Sequence, residues 1–333
     1  MRLAHLHLPN TTPFARVSAL QQALTTRFLA HKRLASPTSQ HPNGPSNQSQ
    51  TAIPPPPDPT IITFSPNPVY TTGRRDLPPS NTCPPDPLNL SLPPALEPIR
   101  SLLTPQGSNP PKAEYHPTLR GGQTTFHGPG QMVAYTILDL KRLNLTPRCH
   151  IRVLENSVID LLKRYGVNGF VTEDPGVWVS DRTNSGPGSK SSSSSSSAPP
   201  KKITAVGVHL RRNISSFGIG LNVTEEPMWY FRQIVACGLE GKEVTSLEGM
   251  GVTGVGIDEV AAGFVERFVE RVNEDFACKN GVGEKIEEVY PVKEEDLGIN
   301  ELNSNKGWKD DKKRKFAKRV LGSTRYMGNS DTN

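Results

Sequence analysis

Arg120-Gly121-Gly122-Gln123-Thr124-Thr125-Phe126-His127-Gly128-Pro129-Gly130-Gln131 is the densest stretch of this chain. Glycine and proline are concentrated there just ahead of an apolar run, so it reads as a loop that delivers its backbone to a strand. Backbone without Cβ atoms can approach a ligand closely, and Arg120 and His127 supply polar anchors at either side. The stretch matches neither G-x-G-x-x-G nor the phosphate-binding loop. It has no Lys-Ser/Thr pair to hold nucleotide phosphates. On its own residues it is either a structural turn or the wall of a binding pocket.

Outward from this loop the alternation of elements becomes clear. Met132 to Leu140 reads as an apolar strand, and Ile151, Leu154, Val158, Leu161, Leu162 and Tyr165 recur at helical spacing. Upstream, Thr60 to Phe64 and Val69 to Arg74 flank the turn Ser65-Pro66-Asn67-Pro68. Downstream, Gly176 to Val179, Ile203 to Leu210 and Gly218 to Val223 are short, β-rich and bounded by glycine. Ile257, Val260, Ala261, Phe264 and Phe268 form the inward stripe of a last helix. Strands and helices mix without strict βαβ alternation, which predicts an α/β (α+β) domain built on a curved mixed sheet.

Two further segments carry reactive side chains. Lys202-Ile203-Thr204-Ala205-Val206-Gly207 begins with a lysine at the head of an apolar strand. Such a lysine either reaches into a pocket, where desolvation and neighbours tune its acidity, or lies solvated at the strand end. Lys201 beside it leaves that choice open. Val235-Ala236-Cys237-Gly238-Leu239 places a cysteine before glycine on a turn, either exposed to react or buried as a small hydrophobe.

Composition narrows the setting. The apolar fraction is 34%, with 32 prolines and 28 glycines, so a globular core is diluted by polar inserts. The stretches 35–59, 77–112 and 183–200 have the composition of disordered insertions, and none carries residues assigned to chemistry. A catalytic domain over 1–279 is expected, followed by a charged flexible tail over 280–333 that includes the basic cluster Lys309 to Arg319. No run approaches the ~20 apolar residues of a membrane helix. Cys83, Cys149, Cys237 and Cys278 show no C-x-x-C pair or zinc-finger spacing, which suits a reducing compartment and excludes a structural zinc site. The net charge of +6 favours acidic partners, but no nucleic-acid motif accompanies it. No acidic residue precedes Asp58, whereas Arg2, Arg16, Arg27, Lys32 and Arg33 do. That is the composition of a mitochondrial transit peptide. Equally, Val17, Leu20, Leu24 and Phe28 share one helical face, so residues 3–34 read as the first strand and helix of the fold. The two readings are compatible if an uncleaved start directs import.

In this order and spacing the segments resemble the lipoyl (octanoyl) transferase family. Its signatures are R-G-G-x-x-T-[aromatic]-H-G-P-G-Q, K-I-x-x-x-G, G-x-x-L-N-V and a P-C-G-type cysteine turn. Pro68-Val69-Tyr70-Thr71-Thr72-Gly73-Arg74 is similar to its P-V-Y-T-x-G-R element, and the resemblance runs to about residue 276 across the three inserts. It implies the catalytic domain shared with biotin and lipoate protein ligases, and transfer of an octanoyl group from octanoyl-acyl carrier protein to a lysine of lipoyl domains. The implied acceptors are those of 2-oxoacid dehydrogenase complexes and the glycine-cleavage H protein. Carried over by motif, Cys237 is the acyl-thioester nucleophile and Lys202 its activating partner. The acyl pocket is lined by Arg120, Gly121, Gly122, Gln123, Thr124, Thr125, Phe126 and His127, by Ala205, Val206 and Gly207, and by Gly218, Ile219 and Gly220. The implied enzyme is mitochondrial and monomeric and needs neither ATP nor a metal. Two positions depart from the pattern: Phe217 stands where the family commonly has histidine, and Ala236 where it has proline. The rival readings are an ATP-using lipoate or biotin ligase on the same fold, and a non-catalytic module that binds lipoyl domains.

Overall fold

The computed structural model describes residues 1–36, 53–77, 91–180, 199–238, 241–277 and 283–297, with the side chains of residues 237, 276 and 277 outside that description. Its Cα positions form one compact unit over Met1–Val292 and a second from Lys293 onward, of which residues 293–297 are described, with a single turn at Glu295–Leu297.

The chain opens with β1 (Arg2–Thr12) and α1 (Phe14–Leu34), then β2 (Thr60–Pro66) and β3 (Val69–Thr72). A 3-10 segment (Pro94–Ile99) runs into the short α2 (Arg100–Leu103), followed by β4 (Glu114–Pro117), β5 (Thr125–His127) and β6 (Gln131–Ile137). Next come α3 (Pro147–Arg164), β7 (Gly169–Phe170), β8 (Val177–Val179), β9 (Lys201–Arg211) and β10 (Ile214–Asn222). The one-turn α4 (Met228–Phe231), α5 (Ile257–Val272) and β11 (Glu288–Pro291) complete the unit.

Among the described residues, eight strands form one mixed sheet in the order β11-β1-β2-β6-β10-β9-β8-β7. β1 is parallel to both neighbours, and the pairings from β2 to β7 are antiparallel. A second sheet of three strands, β4-β3-β5, carries the glycine-rich loop between β4 and β5. Leu3, Ile61, Met132, Ala134, Ile219 and Leu221 point to one face of the large sheet, where they meet Val153, Leu154, Val158 and Leu161 of α3 and Val260, Phe264 and Phe268 of α5. The period-two alternation of the strands sends the other set of side chains to the face that α1 covers. α3 starts at Thr146, whose hydroxyl accepts the Cys149 N–H at 3.2 Å, with Pro147 at the first helical position.

The mixed-sheet α/β architecture is as the sequence predicts. Residues 3–34 do form the first strand and helix, with Val17, Leu20, Leu24 and Phe28 buried. Two boundaries need correction. Residues 91–112 were expected within a disordered insertion, yet Leu92, Leu96, Ile99 and Leu103 are buried in a satellite core with Tyr70, Phe126 and Met228. Those leucines are spaced to share one side of a short helical segment, so the prolines between them shape it without unfolding it. The unit also continues past the expected boundary at 279, because β11 pairs with β1 from Arg2↔Glu288 to His5↔Pro291. Residues 37–52, 78–90 and 183–198 of the expected insertions, and the basic cluster at 309–319, lie outside the described residues.

Candidate active site

A cavity of about 240 Å³ opens between the glycine-rich loop and the facing strands β9 and β10. Its walls are Arg120, Gly121, Gly122, Gln123, Thr125 and His127 from the loop and β5, Lys202 with Ala205 to Val208 from β9, and Phe217 to Gly220 from β10. A smaller cavity adjoins it and shares Thr125, His127, Lys202, Ala205 and Gly220; Phe126, Trp178, Ala236 and Val244 close it.

Register explains the shape. Gly218 pairs with Gly207 and Gly220 with Ala205, so over these two pairs no side chain larger than a methyl group stands at the opening. A Cβ on Gly220 would press on the His127 ring, and one on Gly207 would crowd Arg120. The small residues of β9 and β10 are the space that the loop side chains and any bound chain occupy.

The loop is held from below. Arg120 is buried, and its guanidinium donates to the Thr71 carbonyl at 2.8 Å and the Thr71 hydroxyl at 2.9 Å. Asp76 accepts both the Thr124 N–H and the Thr124 hydroxyl at 2.7 Å. Thr124 was expected to line the acyl pocket; with both polar atoms committed to Asp76 it anchors the loop and lines neither cavity. Phe126 lines only the smaller cavity, because its ring stacks on Tyr230 at 4.3 Å and packs against Tyr70 and Phe231.

His127 heads a hydrogen-bonded row. The Asn222 amide donates to the Thr245 carbonyl, Gln131 Nε2 donates to Asn222 Oδ1, and Gln131 Oε1 therefore accepts the proton of His127 Nδ1 at 3.0 Å. That row fixes the tautomer and makes Nε2 the acceptor nitrogen. Burial, aided by the Arg120 charge, lowers the His127 pKa to about 4, so the imidazole is neutral.

Lys202 is 6% exposed. Its Nζ donates to the Pro175 carbonyl at 3.0 Å and lies 4.8 Å from the centre of the Trp178 ring. On the backbone side its N–H reaches the Glu243 carbonyl and its carbonyl accepts the Thr245 N–H, so the segment after residue 241 runs alongside. A peptide carbonyl and an aromatic face are the compensations that a buried ammonium needs.

Cys237 lies on the 3-10 turn Ala236–Gly238; its side chain is outside the described residues. The flanking backbone is informative. Ala236 lines the same small cavity as Lys202, and Gly238, at φ 67°, lies so close to the Gln123 side chain that a Cβ would collide with it. The turn that carries the cysteine thus sits where the two cavities meet.

Phe217 has φ 62°, a left-handed conformation in the middle of a strand. Its N–H donates to Gln21 of α1 at 2.5 Å and its ring meets Tyr135 edge-on at 5.3 Å. A non-glycine residue held this way costs roughly 1–3 kcal/mol, repaid here by the buried ring contact and the Gln21 bond. Sequence reasoning did not single out Glu155, Asp174, Pro175 or Trp178, which surround Lys202. Trp178, two residues after Gly176, was the one local signal.

A mixed sheet walls a cavity that holds a buried lysine, and residues 50–269 match the family described as lipoyl protein ligase A/B catalytic domain. The chain belongs to that family. It is 37% identical over 240 residues to the Schizosaccharomyces pombe protein named "Probable octanoyltransferase", covering 72% of this chain and 82% of that one. It is 34% identical over 214 residues to the mitochondrial octanoyl-[acyl-carrier-protein]:protein N-octanoyltransferase of Danio rerio, covering 64% and 77%. Among solved structures, the P. falciparum LipL1 complex with lipoate is similar in fold, with a TM-score of 0.51 at 10% identity, covering 92% of this chain and 69% of that one.

Proposed function

We propose that this protein transfers an octanoyl group from octanoyl-acyl carrier protein to a lysine of lipoyl domains, by way of a thioester on Cys237. The observation that carries the reading is Lys202: a buried amino group in the wall shared by two cavities, with the cysteine-bearing turn closing the smaller one. The names of the relatives at 34–37% identity point to the same reaction.

In the first half-reaction the Cys237 thiolate attacks the carrier-bound thioester carbonyl, a new C–S bond forms, and the carrier thiolate leaves and takes up a proton. A free thiol has a pKa near ~8.5, and a nearby ammonium from Lys202 raises the thiolate fraction at neutral pH. In the second, the acceptor lysine amine attacks the Cys237 thioester, the C–N bond forms, and the thiolate is released. Lys202, once it has given up a proton, accepts the one that the attacking amine loses. Thioester to amide requires no ATP. The octanoyl chain lies along the glycine-faced wall of β9 and β10, with Tyr135 and Phe217 among the residues bordering it. A mitochondrial location fits the basic start and the names of eukaryotic relatives.

The donor decides between this reading and an ATP-using ligase. Octanoyl-carrier protein alone is expected to modify a lipoyl domain at full rate. Modification only with free octanoate and ATP overturns the proposal.

A further inference from the structure

Glu155 is a carboxylate in the middle of α3 that is 5% exposed and takes no part in the reaction as written. Its Oε1 accepts the Gly176 N–H at 2.9 Å. The carbonyl of the same peptide group, that of Pro175, accepts Lys202 Nζ at 3.0 Å. One rigid, planar peptide therefore has the carboxylate at its N–H end and the lysine at its C=O end. A hydrogen bond at the N–H end strengthens the C=O end as an acceptor. Gly176 is required at this place: at φ 126° it lies so near Thr204 and the end of the Lys202 side chain that a Cβ would collide with the Thr204 carbonyl.

We infer that Glu155 is a positioning and charge-compensating residue for Lys202, acting through the Pro175–Gly176 peptide. The inference rests on Lys202 being the activator of Cys237. Two other carboxylates lie near Lys202. Asp174 also feels the Lys202 charge, but its carboxylate is held by Lys242, and the Glu243 carboxylate is held by Lys201 at 3.3 Å, so only Glu155 reaches Lys202 through the Pro175–Gly176 peptide. Arg152, 3.5 Å from Glu155, is half exposed, while Arg120 and His127 line the same cavity and bring no negative charge. Burial raises the carboxyl pKa of Glu155, whereas the Gly176 N–H and the charges of Arg152 and Lys202 favour its ionised form. By reciprocity its charge favours the ammonium of Lys202.

The test is the pH dependence of Cys237 alkylation by iodoacetamide, read on the Cys237 peptide by mass spectrometry, in the full chain. Glu155→Gln keeps an oxygen for the Gly176 N–H and removes the charge. Its profile is expected to move to higher pH by roughly half a unit or more, because Lys202 then gives up its proton more readily and less ammonium faces the thiol; a shift to lower pH, the direct effect of removing a negative charge, overturns the inference. Glu155→Asp keeps the charge and withdraws the acceptor, so the midpoint stays within that range of wild type while octanoyl transfer falls roughly tenfold. Lys202→Ala is the control. If Lys202→Ala changes the profile and Glu155→Gln superimposes on wild type, Glu155 is only structural and the inference fails alone. An unchanged profile in Lys202→Ala defeats the activator role and the inference together. Should Glu155→Gln lose its cooperative melt, the Glu155→Asp midpoint decides: a shift as large as that expected for the uncharged variant overturns the inference.

Discussion

Lys201 and Lys202 are adjacent and chemically identical, yet β9 sends them to opposite sides. Lys201 pairs with Glu243 at the surface, at 3.3 Å, whereas Lys202 is buried against Pro175 and Trp178. Strand alternation guarantees that the two differ, but not which one faces the cavity. The register set by the Val177↔Thr204 and Trp178↔Lys202 pairs makes that choice. Lys202→Ala is expected to lower octanoyl transfer by at least about 100-fold, the usual scale for a lost acid–base group. Lys201→Ala removes a partly exposed ion pair worth roughly 0–1 kcal/mol and is expected to stay within about threefold of wild type. Equal losses in a steady-state transfer assay would contradict the assignment. His127 was legible as a motif residue, but its neutral tautomer depends on Gln131, Asn222 and Thr245, which meet only in the folded chain.

At the scale of elements, legibility followed length and periodicity. α3 and α5 carry apolar stripes over four or more turns, and β2, β6 and β10 are buried throughout most of their length, so each announced itself. β11 did not. Its four residues are exposed or half-buried, Val289 being 40% exposed, and it exists because β1 offers its edge. The segment Pro94–Leu103 has the composition of a linker and acquires its order by covering Tyr70 and Phe126. β4 likewise has no apolar pattern, and parallel pairing with β3 defines it. In all three, the stabilising contact comes from elsewhere in the chain, and no local window contains it. The loop Arg120–Gln131 was the opposite case: its glycines are local requirements of close backbone approach, and they can be read without knowing what approaches.

For the whole molecule, the buried His127 and His150 and the half-buried His5 govern the acid limb of stability. Burial lowers the pKa values of His5, His127 and His150 to about 4, from an ordinary 6.5. The unfolded chain therefore binds more protons between those values, so stability is fully present above about pH 6.5 and is lost as pH falls toward 4. For the fully buried pair His127 and His150 the loss is up to about 3 kcal/mol each, at about 1.4 kcal/mol per unit. The raised carboxyl of Glu155 works in the opposite sense and offsets part of the loss. Thermal melts are expected to drop steadily from pH 7 to 4.5, and His150→Gln to flatten the slope; a melt independent of pH over that range would contradict these shifts. The reaction itself turns on one sulfur. Intact-mass measurement after mixing the full chain with octanoyl-carrier protein, without acceptor, tests that most directly. A single octanoyl adduct that maps to Cys237 and disappears in Cys237→Ser is the predicted result. No adduct on the wild-type chain, or an adduct that persists in Cys237→Ser, would contradict the thioester relay.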